Sequence, residues 1–316
     1  MRILANDGID TTGKNLLESK GFEVILEKIP QNELANRISE FDILIVRSAT
    51  KVTAEIIEAG NLKLIARAGV GLDNIDLKAA GLKHVPVVNT PNASSRSVAE
   101  LVFAHLFSVS RYLHVSNKEM ADNGKENFKE LKKIGSEGFE LQGKKLGIIG
   151  FGRIGQEVAK MAIGLGMEVI VYDYKMRSFD LTISLHSKYQ LKNFQLTLQG
   201  VDLKTTLSTS DIITIHTPGS EEVIGANELN EIKTGAVLIN CARGGVVNEQ
   251  ALHDAVSSGK ISFAGVDVFE NEPPTNDTIL KLKNTSLSAH IGASTKEAQE
   301  RVGVELAERI IGFFNK

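Results

Sequence analysis

The chain has 316 residues, which at about 150 residues per domain suggests two domains and leaves length for two hydrophobic cores. Apolar residues make up 42% of the sequence and charged residues 24%, which is ordinary for a soluble globular protein and excludes a disordered or collagen-like chain. The formal net charge of −3 offers no basic excess for nucleic acid or an anionic membrane, and no apolar run reaches the roughly 18 residues of a membrane span.

Cysteine usage and the N-terminal residues bear on where the protein works. Cys241 is the only cysteine in the sequence, so no disulfide can form within the chain, which favours a reducing compartment. The N-terminal sequence MRILANDGID lacks the basic and apolar regions of a signal peptide. We therefore expect a cytoplasmic protein.

Short β-branched runs alternate with amphipathic stretches in the first third of the chain, which indicates a parallel sheet with crossover helices. The predicted strands cover residues 2–5, 23–26, 42–46, 64–66 and 86–88. The predicted helices cover residues 12–20, 32–40, 53–59 and 77–82. A long helix is predicted over residues 97–121, because apolar residues from Val98 to Val109 recur at helical spacing.

A second α/β unit begins near residue 145. Its predicted strands cover residues 145–150, 168–173, 211–216, 236–240, 262–266 and 285–288. A final helix is predicted over residues 294–314, where Ser294 and Glu297 have the spacing of a capping box. The segment 175–199 is long for a connection between two strands, so we predict an excursion or a short extra hairpin there.

The sequence Gly150-Phe151-Gly152-Arg153-Ile154-Gly155 has the G-x-G-x-x-G spacing of dinucleotide-binding loops. A predicted strand precedes it, a predicted helix follows it, and Asp173 ends the next strand. The glycines allow a tight turn and let the backbone approach a pyrophosphate at the helix N-terminus. Asp173 can accept hydrogen bonds from a ribose diol and would repel a 2′-phosphate, so NAD is favoured. Lys175 and Arg177 keep NADP open as an alternative.

Three segments of the second half each place a charged or titratable side chain just after a predicted strand, where open α/β sheets bind ligands. They contain Arg243, Glu272 and His290. A guanidinium can bind the carboxylate and carbonyl of a 2-keto acid with a bidentate fork. His290 can supply the proton that accompanies hydride transfer, and Glu272 can orient its second nitrogen. These residues predict redox chemistry on a 2-hydroxy or 2-keto acid.

Several linked motifs show that the sequence resembles the D-isomer-specific 2-hydroxyacid dehydrogenase family over essentially its whole length. The intervals of 29 residues from Arg243 to Glu272 and of 18 residues from Glu272 to His290 match that family's triad. The further matching motifs are the glycine loop, His216-Thr217-Pro218, the segment 239–245 and the segment 265–273.

The resemblance implies a particular domain organisation and cofactor. A Rossmann cofactor domain, residues 97–291, is inserted into a smaller flavodoxin-like substrate domain made of residues 1–96 and 292–316, so both domains have doubly wound parallel sheets. It also implies NAD as the cofactor and a homodimer. The expected cofactor contacts are Val70, Gly150, Gly152, Arg153, Ile154, Gly155, Asp173, His216, Thr217, Pro218, Cys241, Ala242, Asp267 and Gly292.

The N-terminal segments 46–53, 67–76 and 89–92 look most like D-3-phosphoglycerate dehydrogenases, the entry enzymes of serine synthesis. The expected substrate contacts are Arg47, Ser48, Arg67, Ala68 and Gly69, with Lys51 as a further cation near the phosphate and the amides of residues 68–70 as an anion nest. The chain ends directly after the last predicted helix, so we expect no C-terminal regulatory domain. A glyoxylate, hydroxypyruvate or other D-2-hydroxyacid reductase and an NAD(H)-sensing binding protein remain alternatives.

Metal ligands and the single cysteine are two further candidates for a chemical role. No group of His, Cys and carboxylate residues has metal-ligand spacing, so we expect no metal. Cys241 precedes Arg243 by two positions, and it is interpreted as a small buried residue beside the nicotinamide rather than as a nucleophile.

Overall fold

The computed structural model describes residues 1–175, 178–184, 193–275 and 277–315. Its strands are β1 Arg2–Ala5, β2 Glu23–Ile25, β3 Ile43–Val46, β4 Leu64–Arg67, β5 Val87–Asn89, β6 Lys145–Ile149, β7 Glu168–Tyr172, β8 Ser178–Ser184, β9 Asn193–Gln199, β10 Ile212–Ile215, β11 Ala236–Asn240, β12 Ile261–Val266 and β13 Thr285–Leu287. Its helices are α1 Thr11–Ser19, α2 Leu34–Arg37, α3 Ala54–Ala59, α4 Leu77–Leu82, α5 Ser95–Ser110, α6 Leu113–Gly135, α7 Arg153–Gly164, α8 Leu203–Thr209, α9 Ala226–Glu231, α10 Glu249–Ser257 and α11 Lys296–Phe314, with a 3₁₀ helix at Ile38–Glu40.

The chain divides into two compact units, the first made of Met1–Ser97 and Ala293–Lys316. Its five strands are parallel and lie in the order β2-β1-β3-β4-β5. This is the flavodoxin-like order of a doubly wound sheet. Every residue of the apolar run in β3 is fully buried, as expected for a strand covered on both faces. One core cluster includes residues of α1 and α11, and the other includes residues of α2, α3 and α4.

The second unit, Val98–Gly292, contains a six-stranded parallel sheet in the order β13-β12-β11-β10-β6-β7. The strand order reverses beside β6, which pairs with β7 on one side and β10 on the other. Such a switch point is where open α/β sheets of the Rossmann type bind ligands, outside the carboxyl ends of the strands. The predicted fold class, α/β with doubly wound parallel sheets, is confirmed.

The prediction of a single long helix over residues 97–121 is wrong. The structure has two helices there, because α5 ends at Ser110 and Tyr112 adopts a left-handed conformation with φ of 55° before α6 begins. The carbonyl of Ser110 accepts the amide of Phe139 at 3.0 Å, so the break is held by a residue far along the chain. No glycine or proline marks the break in the sequence, and apolar residues continue across it.

Two other local predictions differ from the structure. The helix predicted over residues 32–40 is a single turn of α-helix followed by the 3₁₀ helix. The last helix is capped by Thr295 rather than Ser294: the Thr295 hydroxyl accepts the amide of Ala298 at 3.1 Å. Neighbouring hydroxyl residues both fit a cap in sequence, and the backbone conformation decides which one is used.

The predicted excursion after β7 is an antiparallel hairpin of β8 and β9 in the described part of the segment. Phe179 and Leu181 of β8 point into the core, and the Phe179 ring lies 4.7 Å from the ring of Phe151, measured between centroids. Residues 176–177 and 185–192, including Arg177, lie outside the described residues.

Candidate active site

Three loops of the second unit leave the same edge of the sheet from adjacent strands. In the β-sheet register Asn240 of β11 lies beside Val266 of β12, and Val266 lies beside Leu287 of β13. The loops after these strands carry Arg243, Glu272 and His290. The parallel sheet therefore brings to one edge three residues that are 18 or more positions apart in sequence.

His290 and Glu272 form a hydrogen-bonded pair. Nδ1 of His290 lies 2.6 Å from Oε2 of Glu272, and Oε1 of Glu272 accepts the amide of Phe269 at 3.2 Å. Both side chains are partly exposed, at 40% and 37%. Because the carboxylate occupies Nδ1, Nε2 is the nitrogen left to exchange a proton with a ligand.

The turn that carries His290 is held by Asp267. His290 has a left-handed φ of 50°, and its amide donates to the Asp267 carbonyl at 2.8 Å. The amides of Ile291 and Gly292 donate to the Asp267 carboxylate at 2.8 and 2.9 Å, and the Ser288 hydroxyl donates to it at 2.5 Å. Asp267 is 1% exposed. The backbone and side chain of Asp267 together fix the backbone of this turn, and with it the position from which the His290 side chain extends.

Arg243 lies in a loop organised by Asn240. The Asn240 side chain accepts the amide of Ala242 and donates to the carbonyl of Arg243, both at 3.0 Å. The guanidinium donates through Nη1 to the carbonyl of Ala242 at 2.7 Å. A Cβ added to Gly244 would lie 1.7 Å from the carbonyl oxygen of Phe269, so only glycine lets this loop approach the segment that leads to Glu272.

The glycine loop packs as its spacing predicts. Gly150 has a positive φ of 91°, and an added Cβ would lie 2.7 Å from the carbonyl oxygen of His216. A Cβ on Gly155 would meet the Gly150 carbonyl at 2.4 Å, which explains the close packing of α7 on β6. A Cβ on Gly152 would meet no described atom within 4 Å. Gly152 is the N-cap of α7, so the helix N-terminus opens onto space that an anion can enter.

Asp173 directly follows β7, where the loop predicts a ribose-binding carboxylate. One carboxylate oxygen accepts the amide of Phe151 at 2.9 Å and the other accepts the amide of Lys175 at 3.0 Å. Each oxygen keeps a second lone pair, so the group can still accept a ligand hydroxyl. Lys175 is exposed, and its ammonium lies 5.0 Å from the centroid of the Tyr174 ring.

The loop after β10 leaves polar atoms without partners beside the glycine loop. Burial lowers the pKa of His216 to about 3, so its imidazole is neutral. Its Nε2 lies 3.0 Å from the Thr214 hydroxyl, whereas its buried Nδ1 and the buried Thr217 hydroxyl find no hydrogen-bond partner among the described residues. Buried polar groups are usually paired, so these atoms fit a polar ligand such as a dinucleotide.

Cys241 is buried beside this edge of the sheet. Burial raises the pKa of its thiol well above the ordinary value, and the negative charge of Asp267 raises it further. The group is therefore a neutral thiol and a poor nucleophile. This agrees with its interpretation as a small buried residue.

The first unit carries the predicted substrate residues at the carboxyl edge of its sheet. Arg47 follows Val46, and Val46 lies beside Arg67 in the register of β3 and β4. An added Cβ on Gly69 would lie 1.5 Å from Nη1 of Arg67, so the missing side chain makes room for this guanidinium.

The anion nest predicted from the amides of residues 68–70 does not form as proposed. The Ala68 amide donates to the carbonyl of Val46, and the Gly69 amide donates to the carbonyl of Arg67, each at 2.9 Å. Two of the three amides are therefore used within the chain.

The remaining predicted contacts lie at several levels of exposure. Ser48 and Pro218 are exposed, Val70 and Ile154 are half-buried, and Ala242 is buried. Arg153 begins α7. Lys51 is exposed.

The described residues contain no cluster of three or more His, Cys, Asp or Glu side chains that could hold a metal ion. In the part of the chain that the structure describes, no helix has the length and apolar character needed to cross a membrane.

Comparison with known proteins decides the family. The family model "D-isomer specific 2-hydroxyacid dehydrogenase, NAD binding domain" matches residues 103–292. A hydroxypyruvate reductase of Thermotoga maritima is 45% identical over 317 residues, which covers 98% of this chain and 97% of that protein. The chain belongs to the D-isomer specific 2-hydroxyacid dehydrogenase family.

Two further relatives of this dehydrogenase carry other substrates in their names. A D-3-phosphoglycerate dehydrogenase of Archaeoglobus fulgidus is 38% identical over 317 residues, and the chain spans 57% of that relative's length while 98% of the chain is aligned. An NAD-dependent formate dehydrogenase of Staphylococcus aureus, solved in complex with NAD, has a TM-score of 0.80 at 28% identity, with 100% of this chain and 96% of that chain covered. The predicted family, enzyme class and cofactor are confirmed: the chain is an NAD-dependent oxidoreductase of D-2-hydroxy acids.

Sequence reasoning missed three residues of this dehydrogenase that shape the site. Asn240 holds the Arg243 loop, and its only sequence signal is an amide at the end of an apolar strand. Ser288 holds Asp267, and His105 of α5 lies within hydrogen-bond distance of Ser288. His105 lies among the apolar residues of its helix, a pattern that by itself favours a core or interface position.

Proposed function

We propose that this dehydrogenase interconverts D-3-phosphoglycerate and 3-phosphohydroxypyruvate with NAD, which is the first step of serine synthesis. The observation that supports this substrate is the pair Arg47 and Arg67. Arg47 comes directly after the residue that lies beside Arg67, so the two backbones are neighbours on strands about 4.8 Å apart. Guanidinium groups at adjacent strand ends suit a substrate that carries a phosphate as well as a carboxylate.

We assign substrate binding to the first unit, and cofactor binding and catalysis to the second. The first unit, predicted as residues 1–96 with 292–316, supplies the substrate's anion-binding residues. The second, predicted as residues 97–291, supplies the cofactor-binding loop and the catalytic residues. This division agrees with the match of the NAD-binding family model to residues 103–292.

The chemistry follows from the hydrogen bonds of the second unit. Nε2 of His290 donates a proton to the substrate oxygen during reduction and takes it back during oxidation, because Glu272 holds Nδ1 and stabilises the imidazolium. Arg243 binds the carboxylate and polarises the carbonyl. Bound NAD supplies the two-electron hydride chemistry.

The residues around the glycine loop would hold the NAD. The amides at the start of α7 would bind its pyrophosphate, and Gly152 would leave the room for it. Asp173 would accept the ribose hydroxyls, and the loop of His216, Thr217 and Pro218 would offer two buried polar atoms that have no hydrogen-bond partner among the described residues.

A substrate comparison tests this function. Wild type is assayed for NADH oxidation with 3-phosphohydroxypyruvate, hydroxypyruvate and glyoxylate, and the assay is repeated with Arg47→Ala. Loss of a hydrogen-bonded cation costs about 1.5–3 kcal/mol, so kcat/KM for the phosphorylated acid should fall about 10- to 100-fold. The loss on hydroxypyruvate should stay below about threefold, since that acid has no phosphate to bind. Equal losses on both acids contradict the phosphate assignment.

Lys63→Ala is the matched control for this comparison. Lys63 precedes β4 and pairs with Asp42 at 2.8 Å, so it lies at the opposite edge of the same sheet. Lys63 precedes Arg67 by four positions of extended chain, about 13 Å, which exceeds the roughly 8 Å screening length at physiological salt. Its kcat/KM should equal the wild-type value with every acid.

A hydroxypyruvate or glyoxylate reductase is the second candidate. It is favoured by the 45% identity to the Thermotoga maritima hydroxypyruvate reductase, which covers 97% of that protein. A wild-type kcat/KM for hydroxypyruvate above that for the phosphorylated acid would support this candidate.

We further propose that the enzyme works as a homodimer in the cytoplasm. In the second unit, α5 and α6 expose the apolar side chains of Phe107, Leu113, Met120 and Phe128, each between 41% and 56% exposed. Exposed large apolar side chains grouped on neighbouring helices are typical of an interface. Light scattering coupled to size exclusion tests this, and a monomer at micromolar concentration would contradict it.

A further inference from the structure

A buried histidine lies behind the turn that carries His290. His105 of α5 is 3% exposed, and its ring lies between two serine hydroxyls: Nδ1 is 2.9 Å from Ser286 and Nε2 is 2.9 Å from Ser288. Ser286 and Ser288 are two positions apart on an extended segment, so they face the same side about 6.7 Å from each other. The ring therefore spans the gap between them.

The neighbouring strand leaves room for this ring. Gly265 of β12 faces His105, and a Cβ added there would come within 2.9 Å of the His105 Cβ and 3.2 Å of its Cγ. Real Cβ atoms do not approach so closely, so glycine at this position admits the imidazole. Gly265 lies two residues before Asp267, in the same strand-to-loop segment.

The hydrogen bonds determine where each proton of this cluster lies. Ser288 donates its single hydroxyl proton to the Asp267 carboxylate at 2.5 Å. Ser288 can then only accept from His105, which requires a proton on Nε2. A neutral imidazole with its proton on Nε2 has a bare Nδ1, and that atom accepts the hydroxyl of Ser286. Burial lowers the pKa of His105, which agrees with the neutral ring.

The chain of donors ends at the catalytic turn. Asp267 receives Ser288 and the amides of Ile291 and Gly292, and its carbonyl receives the amide of His290. The three donors to its carboxylate are neutral, so each carries a large share of the stabilisation of a buried charge. A Ser288 hydroxyl that turned towards the imidazole would remove one of the three.

We propose that His105 is a positioning residue for the acid–base histidine: its Nε2–H fixes the Ser288 hydroxyl on Asp267, which holds the turn of His290. This rests on the proposed catalytic role of His290. Ser288 selects this tautomer of His105, because it donates to Asp267 and can only accept from the ring, and Ser286 completes the pairing by donating to Nδ1. The ring itself lies behind the turn and acts through Ser288 and Asp267, so it affects the rate only through the geometry of the turn.

A pair of substitutions at position 105 separates positioning from packing. His105→Gln can place its amide N–H₂ near Nε2 and keep the donor to Ser288, whereas His105→Asn is shorter and reaches only the Ser286 side. We expect His105→Gln to keep kcat within about threefold and His105→Asn to lose about tenfold, with the KM for the keto acid unchanged, because misplacement of a catalytic group lowers kcat. Equal kcat for the two variants would overturn the proposal.

Substitutions of the two serines provide a second, independent test, because the proposal predicts which of them loses more kcat. Ser288→Ala breaks the link to Asp267 and should lose about tenfold in kcat, like His105→Asn. Ser286→Ala removes only the hydrogen bond to Nδ1 and should lose less than Ser288→Ala. A larger loss for Ser286→Ala would show that the cluster acts on packing rather than on Asp267.

A spectroscopic measurement tests the proton arrangement without any turnover. Long-range ¹H–¹⁵N correlation of the ¹⁵N-histidine-labelled protein reports the tautomer of each imidazole, and the His105 signal is assigned by its absence in His105→Gln. We expect a neutral Nε2–H ring in wild type and a mixture of tautomers in Ser288→Ala, because the Ser286 hydroxyl can donate to Nδ1 or accept from it. An Nδ1–H or doubly protonated ring at neutral pH would overturn the inference even in an enzyme whose proposed substrate is correct. Wild type that reduces none of the keto acids while His105 shows the Nε2–H ring would count against the proposed function, and the positioning role would fall with it.

Discussion

Asp7→Asn tests how the first unit holds the loop that carries Arg47. The Asp7 side chain is 4% exposed and accepts four donors: the Arg47 amide at 2.8 Å, the Thr50 amide at 3.1 Å, the Thr50 hydroxyl at 2.7 Å and the Lys28 ammonium at 2.5 Å. Burial raises the pKa of this carboxyl, but the hydrogen bonds outweigh burial, and the pKa lies below its ordinary value.

The cost of the substitution follows from counting acceptors. Asparagine offers one acceptor oxygen instead of two, so two of the four donors lose their partner. If the oxygen serves the two backbone amides, Lys28, which is 57% exposed, returns to water and costs about 0.2–1 kcal/mol. The buried Thr50 hydroxyl loses its acceptor at about 1–3 kcal/mol. The sum is about 2 kcal/mol, which corresponds to about 30-fold more frequent local opening.

Hydrogen exchange read by mass spectrometry measures this opening in peptides that cover β3 and the Arg47 loop. Asp42→Asn is the control, because Asp42 makes the same kinds of bonds at the other edge of the sheet, with Arg2 and Lys63, but its side chain is 29% exposed. The control should change local stability by no more than about 1 kcal/mol. Equal acceleration of exchange in both variants would refute the argument from buried acceptors.

The same variant predicts a pH dependence with a definite sign. A carboxyl whose folded pKa lies below its ordinary value of 3.8 stabilises the fold above that pH, and this stability is lost as the pH falls through the folded pKa. Asp7→Asn lacks this contribution. The difference in urea midpoint between wild type and variant, measured by far-ultraviolet circular dichroism, should therefore be largest at neutral pH and shrink below about pH 4. A difference that grows on acidification would contradict the lowered pKa.

His290→Gln should lower kcat by about 10²- to 10⁴-fold in steady-state assays, while His253→Gln, at a half-buried position on α10, keeps wild-type kcat. Full activity of His290→Gln would overturn the acid–base assignment. Gly244→Ala should lower the melting temperature and the activity, since its methyl group would overlap a carbonyl oxygen, whereas Gly164→Ala in α7 meets no described atom within 4 Å and should be tolerated. Iodoacetamide should label Cys241 slowly in the native protein and rapidly in urea, because burial keeps the thiol neutral. Rapid native labelling would show an accessible thiolate.

The local motifs and the fold class were predictable because their physical causes lie within short stretches of sequence. The glycine loop needs three small residues within six positions, and the predicted strands agree with the observed ones to within one or two residues at each end. Arg243, Glu272 and His290 each follow an apolar strand, and parallel pairing brings the ends of such strands to one edge.

The break between α5 and α6 was missed for the opposite reason. It depends on a hydrogen bond from Phe139 to Ser110, and the apolar pattern of the helices continues across it. The choice of Thr295 over Ser294 as a cap likewise depends on backbone conformation, which neighbouring residues of the same chemistry do not reveal.

The sequence by itself determined the alternation of strands and helices, the dinucleotide loop and the residue types of the acid–base pair, because each has a local pattern. Only the tertiary structure decided what holds them. Asp7 and Arg47 are 40 residues apart, and His105 and Ser288 are 183 residues apart. A hydrogen bond made by a single polar side chain at such separations has no periodicity and no fixed spacing, so the fold must form before these partners meet.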